Sequence, residues 1–170
     1  MDDESKKILQ KAIDIEIFGY NYYSKLKNLV ENNEGRGLLG FLANAEEEHQ
    51  HYLKKTCKNL GHEPEETELG NLIADVLMDE GLQKIFNGLM EKEKLENVDA
   101  IEAIKLGMEV EAKSIKFYKN NAEKSPDPDI VKLFTELSSW EIVHLELLKE
   151  NLRMLKDEGT WYGYTPILEG

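Results

Sequence analysis

Two stretches of this chain carry the same polar pair in the same apolar frame. Leu42-Ala43-Asn44-Ala45-Glu46-Glu47-Glu48-His49-Gln50-His51-Tyr52-Leu53 and Leu137-Ser138-Ser139-Trp140-Glu141-Ile142-Val143-His144-Leu145-Glu146-Leu147-Leu148 each hold Glu-x-x-His. In both, a leucine stands four residues before the glutamate and another seven after it. The copies lie 95 positions apart, and the same offset relates Ile13-x-x-Glu16-x-x-Gly19-x-x-Tyr22-Tyr23 to Met108-x-x-Glu111-x-x-Ser114-x-x-Phe117-Tyr118. Glu16 precedes Glu46 by 30 residues, and Glu111 precedes Glu141 by 30. Carboxylates and imidazoles in such numbers are ligands for iron, manganese or zinc. A metal bound by Glu16, Glu46, His49, Glu111, Glu141 and His144 is therefore the first chemistry to consider.

The elements that would position these groups are helices. Hydrophobic content of 41% and charged content of 32% suit a helix-rich globular chain of 170 residues. The first helix is expected over about 5–31, with Ala12, Glu16, Gly19, Tyr23, Leu26 and Val30 on one stripe. Asp14, about 200° round from Glu16, is expected in solvent. Asn32-Asn33-Glu34-Gly35 breaks the chain through residues that tolerate left-handed backbone. A second helix over about 36–60 places Leu39, Leu42, Glu46, His49, Leu53 and Cys57 on its inner face, and Gly61-His62-Glu63-Pro64 closes it. His62 reads as an exposed loop histidine.

Residues 65–98 have no counterpart in the repeat. They read as a long crossover with one or two shorter helices, interrupted at Gly70, Gly81 and Gly88, with Glu91-Lys92-Glu93-Lys94 a solvated face. Asp99 is the expected cap of a third helix over about 99–124, with Glu102 as its capping-box partner. Its inner stripe reads Ile101, Ile104, Met108, Glu111, Ile115 and Tyr118. A fourth helix over about 128–157 carries Ile130, Leu133, Leu137, Glu141, His144, Leu148, Leu152 and Leu155. The aromatic tail 159–170 is expected to pack on the bundle or on a partner subunit.

Four glutamates at mid-helix on apolar stripes could not be buried as unpaired charges without a cost of several kcal/mol or a change of protonation. No lysine sits at matching height, and two divalent cations would satisfy all four. Glu from two helices with Glu-x-x-His from two others is the arrangement of di-metal carboxylate bundles. The local motif alone is weak: Glu48-x-x-His51 has the same spacing but lies about 200° from the Glu46 stripe and is read as solvated surface. Tyr23 and Tyr118, seven residues past Glu16 and Glu111, are candidates for hydrogen bonding to a ligand carboxylate or for an electron route, or else are core tyrosines. Tyr20, Tyr22, Phe117 and Trp140 read as packing residues.

Composition excludes other classes. The net charge is −13, from 34 acidic and 21 basic residues, which argues against nucleic acid and anionic lipid as partners. No apolar run reaches the length of a membrane span, and the acidic start Met1-Asp2-Asp3-Glu4-Ser5 lacks a secretory pattern. A cytoplasmic location is expected. The single cysteine, Cys57, permits neither an internal disulfide nor a Cys-x-x-Cys iron centre, and reads as a small buried apolar residue.

The segments Glu16-x6-Tyr23, Leu42-Ala43-x-x-Glu46-x-x-His49, Glu111-x6-Tyr118 and Leu137-Ser138-x-x-Glu141-x-x-His144 make the chain resemble ferritin-like, rubrerythrin-type di-iron proteins over its four long helices. The resemblance implies an all-α ferritin-like four-helix bundle with Glu16 and Glu111 as terminal ligands. It further implies Glu46 and Glu141 as bridges between two iron ions, and one nitrogen from each of His49 and His144. It implies reaction of a diferrous centre with hydrogen peroxide or dioxygen, or, as in ferritins, iron oxidation for storage. Two departures stand out. This chain has no rubredoxin-type Cys-x-x-Cys pairs, so an external electron donor such as a rubredoxin is expected. Ser114 also occupies the place where rubrerythrins carry an extra glutamate. A homodimer or small homo-oligomer is expected. A metal-free helical interaction protein is the reading from a different class.

Overall fold

The computed structural model describes residues 2–164, without the side chains of residues 69, 70, 72 and 74. Six helices follow one another: α1 (Asp3–Leu29), α2 (Asn33–Asn59), α3 (Leu69–Leu77), α4 (Glu80–Met90), α5 (Asn97–Lys124) and α6 (Pro128–Asp157). No strand occurs among the described residues. The expected four long helices and helical crossover are present, with ends displaced by up to three residues. At 27 to 30 residues each, the long helices span roughly 40–45 Å.

Short side chains set where the helices begin. The carboxylate of Asp2 accepts from the Ser5 N–H, and the Asn32 amide oxygen accepts from the Gly35 N–H. Asp127 accepts from the Asp129 and Ile130 N–H groups, with Pro128 in the first turn of α6. The break between α1 and α2 thus works through extended backbone at Val30 and Asn32, not through the left-handed residues expected there. Gly61 and Gly159 do take positive φ, 73° and 66°, and close α2 and α6. The start of α5 also differs from expectation. Glu96 is the cap residue, and Asp99 is its partner at the third helical position, accepting from the Glu96 N–H at 3.0 Å.

Helix α1 packs along α2 and α5 along α6, each pair a hairpin. The hairpins meet at two further seams, α1 with α5 and α2 with α6. The crossover helices lie on the first of these, α3 against α1 and α4 against α5. Two apolar clusters fill the bundle. One gathers Leu9, Ile13, Leu53, Cys57, Tyr118, Leu133, Phe134 and Leu137. The other gathers Tyr22, Leu26, Leu38, Leu42, Ile104, Val110 and Leu148, with the crossover's Leu77, Phe86 and Leu89. Along every long helix the switch from one cluster to the other comes at the level of Glu16, Glu46–His49, Glu111 and Glu141–His144. A polar layer is thereby sandwiched between two dry ones. Each fully buried leucine in those layers contributes about 1.5–3 kcal/mol.

Helix α5 buries Ile104, Glu111 and Tyr118 of the expected stripe but is rotated toward its smaller residues. Ala103, Leu106, Gly107, Val110 and Ser114 are buried, while Ile101, Met108 and Ile115 are only half-buried. The reason is close approach: a Cβ at Gly107 would lie 3.2 Å from the Tyr23 hydroxyl and 3.4 Å from Leu148. Asp14 is also not solvated. It is 7% exposed, and its carboxylate accepts from Thr67 Oγ1 at 2.8 Å and Gln10 Nε2 at 3.0 Å, so α1 helps to moor the start of the crossover. His62 is half-buried instead of exposed, and its Nε2 has no hydrogen-bond partner. Cys57 is fully buried, as expected, and burial pushes its thiol up to about 11.

The described part of the tail packs on the bundle. Trp161 is buried against Gly35, where a Cβ would come within 2.6 Å of the indole. The amide oxygen of the fully buried Asn151 accepts from the N–H groups of Tyr162 and Gly163, and its Nδ2 donates to the Gly163 carbonyl. Tyr164 stacks on Phe41 with centroids 3.8 Å apart. The rest of the expected tail, 165–170, lies outside the described residues.

Candidate metal centre

All six residues singled out by the repeat converge in the polar layer, each at most 5% exposed. The Nδ1 atom of His49 lies 3.0 Å from Glu16 Oε2, 3.1 Å from Glu141 Oε1 and 3.5 Å from Glu46 Oε2. The Nδ1 atom of His144 lies 2.9 Å from Glu141 Oε2, 3.3 Å from Glu46 Oε1 and 3.8 Å from Glu111 Oε1. Two ligand sets result: Glu16, Glu46, His49 and Glu141, and Glu46, Glu111, Glu141 and His144, with the donor atoms of each set within 4.8 Å of one another. Glu46 and Glu141 belong to both sets. The 95-residue offset exchanges one set for the other.

The charge balance of this cluster calls for cations. Among the described residues, no lysine or arginine pairs with any of the four carboxylates; their only basic neighbours are the two histidines. Burial, then repulsion from Glu141, Glu16 and Glu111, pushes the Glu46 carboxyl well above the usual range. Burial and Glu141 do the same to Glu111. Burial acts in the same upward direction on Glu141, but His144 and His49 outweigh it and hold that carboxyl below the usual range. Burial works against the charged imidazoles, yet the surrounding carboxylates raise His49 to about 12 and His144 to about 9. Positive charge is drawn in from every available proton, the service that bound divalent ions perform more fully. Both carboxylate oxygens of Glu141 and Nδ1 of His144 are buried without a hydrogen-bond partner. These atoms belong to the two four-residue sets, and this donor set fits two metal ions.

The two tyrosines act across the repeat. The hydroxyl of Tyr23 donates to Glu111 Oε1, and that of Tyr118 donates to Glu16 Oε1. Burial and the adjacent carboxylates push both phenols far above the ordinary tyrosine range, so they serve as proton donors that fix the outer carboxylates. Glu16 is held from its backbone as well, with Gln50 Nε2 donating to its carbonyl at 3.2 Å. Glu48 and His51 are exposed, as their phase on α2 predicts.

Three features escaped the sequence. Trp140 is not simply a packing residue: its indole stacks on the His49 ring, with centroids 5.0 Å apart and an 18° tilt, while 36% exposed. Its counterpart under the repeat is Ala45, so only one imidazole is so covered, and the adjacency of Trp140 to Glu141 was the available signal. Tyr52 meets Trp140 edge-on at 5.4 Å and donates its hydroxyl to Glu136. At Gly19 a Cβ would lie 2.9 Å from the Glu46 carboxyl carbon, so the missing side chain makes room for a ligand.

A family model for rubrerythrin matches residues 7–152, which takes in α2 and α5, most of α1 and α6, and all six clustered residues. The chain belongs to the rubrerythrin family. Comparison with curated proteins and with solved structures gives no match. The rubrerythrin assignment and the two overlapping carboxylate–imidazole sets together point to a di-metal site in an all-α, ferritin-like bundle. No helix among the described residues is long and apolar enough to cross a membrane.

Proposed function

We propose that this rubrerythrin-family chain is a di-iron carboxylate oxidoreductase acting on hydrogen peroxide or dioxygen, with electrons from an external donor such as a rubredoxin. The observation that carries the reading is the sharing of Glu46 and Glu141 between two four-residue sets. One ion would be held by Glu16 and His49, the other by Glu111 and His144, with Glu46 and Glu141 between them. Iron bound there would supply two one-electron couples and Lewis acidity toward an O–O bond; manganese and zinc suit the same donors.

The protein's own contribution is positioning and exclusion. The Nδ1 atoms of His49 and His144 face the four carboxylates, while their rings lie 5.3 Å apart and nearly parallel. The crossed phenols of Tyr23 and Tyr118 hold Glu111 and Glu16. The apolar layers above and below keep bulk water from the centre. Access is from the imidazole side, where a cavity of about 260 Å3 is lined by Phe41, Ala45, His49, Trp140, Val143 and His144. A cytoplasmic homodimer or small homo-oligomer is the setting that fits the acidic composition and the half-exposed Trp140.

Anaerobic titration with Fe(II) tests the reading. Saturation at two ions per chain, followed by oxidation of both on adding peroxide, is expected, and Glu46→Ala should abolish the second ion. A stoichiometry of zero or one in the unsubstituted chain would reject the shared site.

A further inference from the structure

On the opposite seam, α1 against α5, the end of α3 stands over a second cavity of about 410 Å3. Its walls are apolar: Ile15, Val76, Met78, Val110 and Phe117. Three lysines, Lys11, Lys113 and Lys116, line it as well. Among the described residues none of the three forms an ion pair, as is true of most lysines of this chain, although Asp75 lines the same cavity. The amines lean on weaker partners instead. Lys11 Nζ is 3.9 Å from the Met78 sulfur and 5.9 Å from the Phe117 ring centre, and Lys113 Nζ is 3.5 Å from the Leu77 carbonyl oxygen.

The backbone at the mouth is also unusual. Met78 has a φ of 41°, a left-handed conformation that costs a non-glycine residue about 1–3 kcal/mol. This turn leaves the Met78 side chain 73% exposed beside the cavity. A flexible thioether at the rim of an apolar cleft adapts to ligands of varied shape. Pockets of this size with apolar walls and a few fixed charges take small organic molecules.

We propose that this cavity binds a small amphiphilic carboxylate, its hydrocarbon part against Ile15, Val76, Val110 and Phe117 and its charged head among Lys11, Lys113 and Lys116. The apolar walls would supply affinity through burial, and the unpaired amines would select an anion over a neutral or cationic analogue. The crossover, which the repeat lacks, contributes Asp75, Val76 and Met78 to this lining, and α1 and α5 supply the rest.

Isothermal titration of the full chain with octanoate tests this, with 1-octanol and octylammonium as controls. Saturable uptake of one octanoate per chain is expected, with octanol weaker and octylammonium not bound. The double substitution Lys113→Gln and Lys116→Gln should weaken octanoate about tenfold or more while leaving the melting temperature unchanged. Met78→Glu, at an exposed position, should weaken it in the same direction without disturbing the fold. Equal binding of octanol and octanoate, indifference to both variants, or uptake that does not saturate would overturn the proposal.

Discussion

The two seams between the hairpins face the same six residues and are built in opposite ways. At α1/α5 the outer carboxylates Glu16 and Glu111 are clamped by Tyr118 and Tyr23, and α3 and α4 lie across the outside. At α2/α6 the imidazoles of His49 and His144 border a cavity lined by Phe41, Ala45, Glu48, Trp140 and Val143, of which Trp140 and Val143 are exposed. The repeat makes the halves alike, and the additions make the faces unlike. A crossover covers the side of Glu16 and Glu111 and leaves the side of His49 and His144 beside an open cavity.

Substitutions at the closed seam should therefore cost more than those at the open one. The largest effect is expected inside the first hairpin, beside the seams, from Gly19→Ala, whose new methyl would press on the buried Glu46 carboxyl. It should lower metal affinity about 10–100-fold and stability by about 1–3 kcal/mol, read by metal titration and denaturant unfolding. Next come Tyr23→Phe and Tyr118→Phe. Each leaves one buried carboxylate oxygen without its donor, at a cost of about 1.5–3 kcal/mol in unfolding experiments. Similar losses from the two would sharpen the picture of an even-handed clamp, and a loss from only one would break it. The smallest effect is expected from Trp140→Phe, under about 1 kcal/mol because the side chain is partly in solvent. Its readout is optical instead: iron loading should quench Trp140 emission through the stacked His49, and the variant should retain only the emission of Trp161. A stability loss at Trp140 matching that at Tyr118 would erase the distinction between the seams.

Much of this was legible in the chain. The inner stripes of α1, α2 and α6 could be phased because large apolar residues bracket Glu16, Glu46–His49 and Glu141–His144 at helical spacing. Helix α5 is phased by the sequence only at Ile104, Glu111 and Tyr118, because the rest of its inner face is Ala103, Gly107 and Ser114, small residues that permit close packing but carry little hydrophobic signal. The bulkier Ile101, Met108 and Ile115 outweigh them in hydrophobic periodicity yet are only half-buried. The burial of Asp14 is not legible locally because its partner Thr67 is 53 residues away, and nothing local announces a contact of that range. The glutamates and histidines could be selected because a repeated spacing discriminates where a single Glu-x-x-His does not. The stack of Trp140 on His49 joins two helices and breaks the repeat, so neither periodicity nor symmetry could disclose it.

The crossed phenols also constrain how the hairpins can mate. Tyr23 belongs to the first hairpin and grips a carboxylate of the second, while Tyr118 returns the grip. Sliding one hairpin along the other by a single turn, about 5.4 Å, would sever both bonds at once and pull the glutamates away from their partners. Apolar layers alone would tolerate such slippage far better, since leucine meets leucine in many alignments. The polar layer thus works as a vernier for assembly, selecting one alignment of the two halves before any ion arrives.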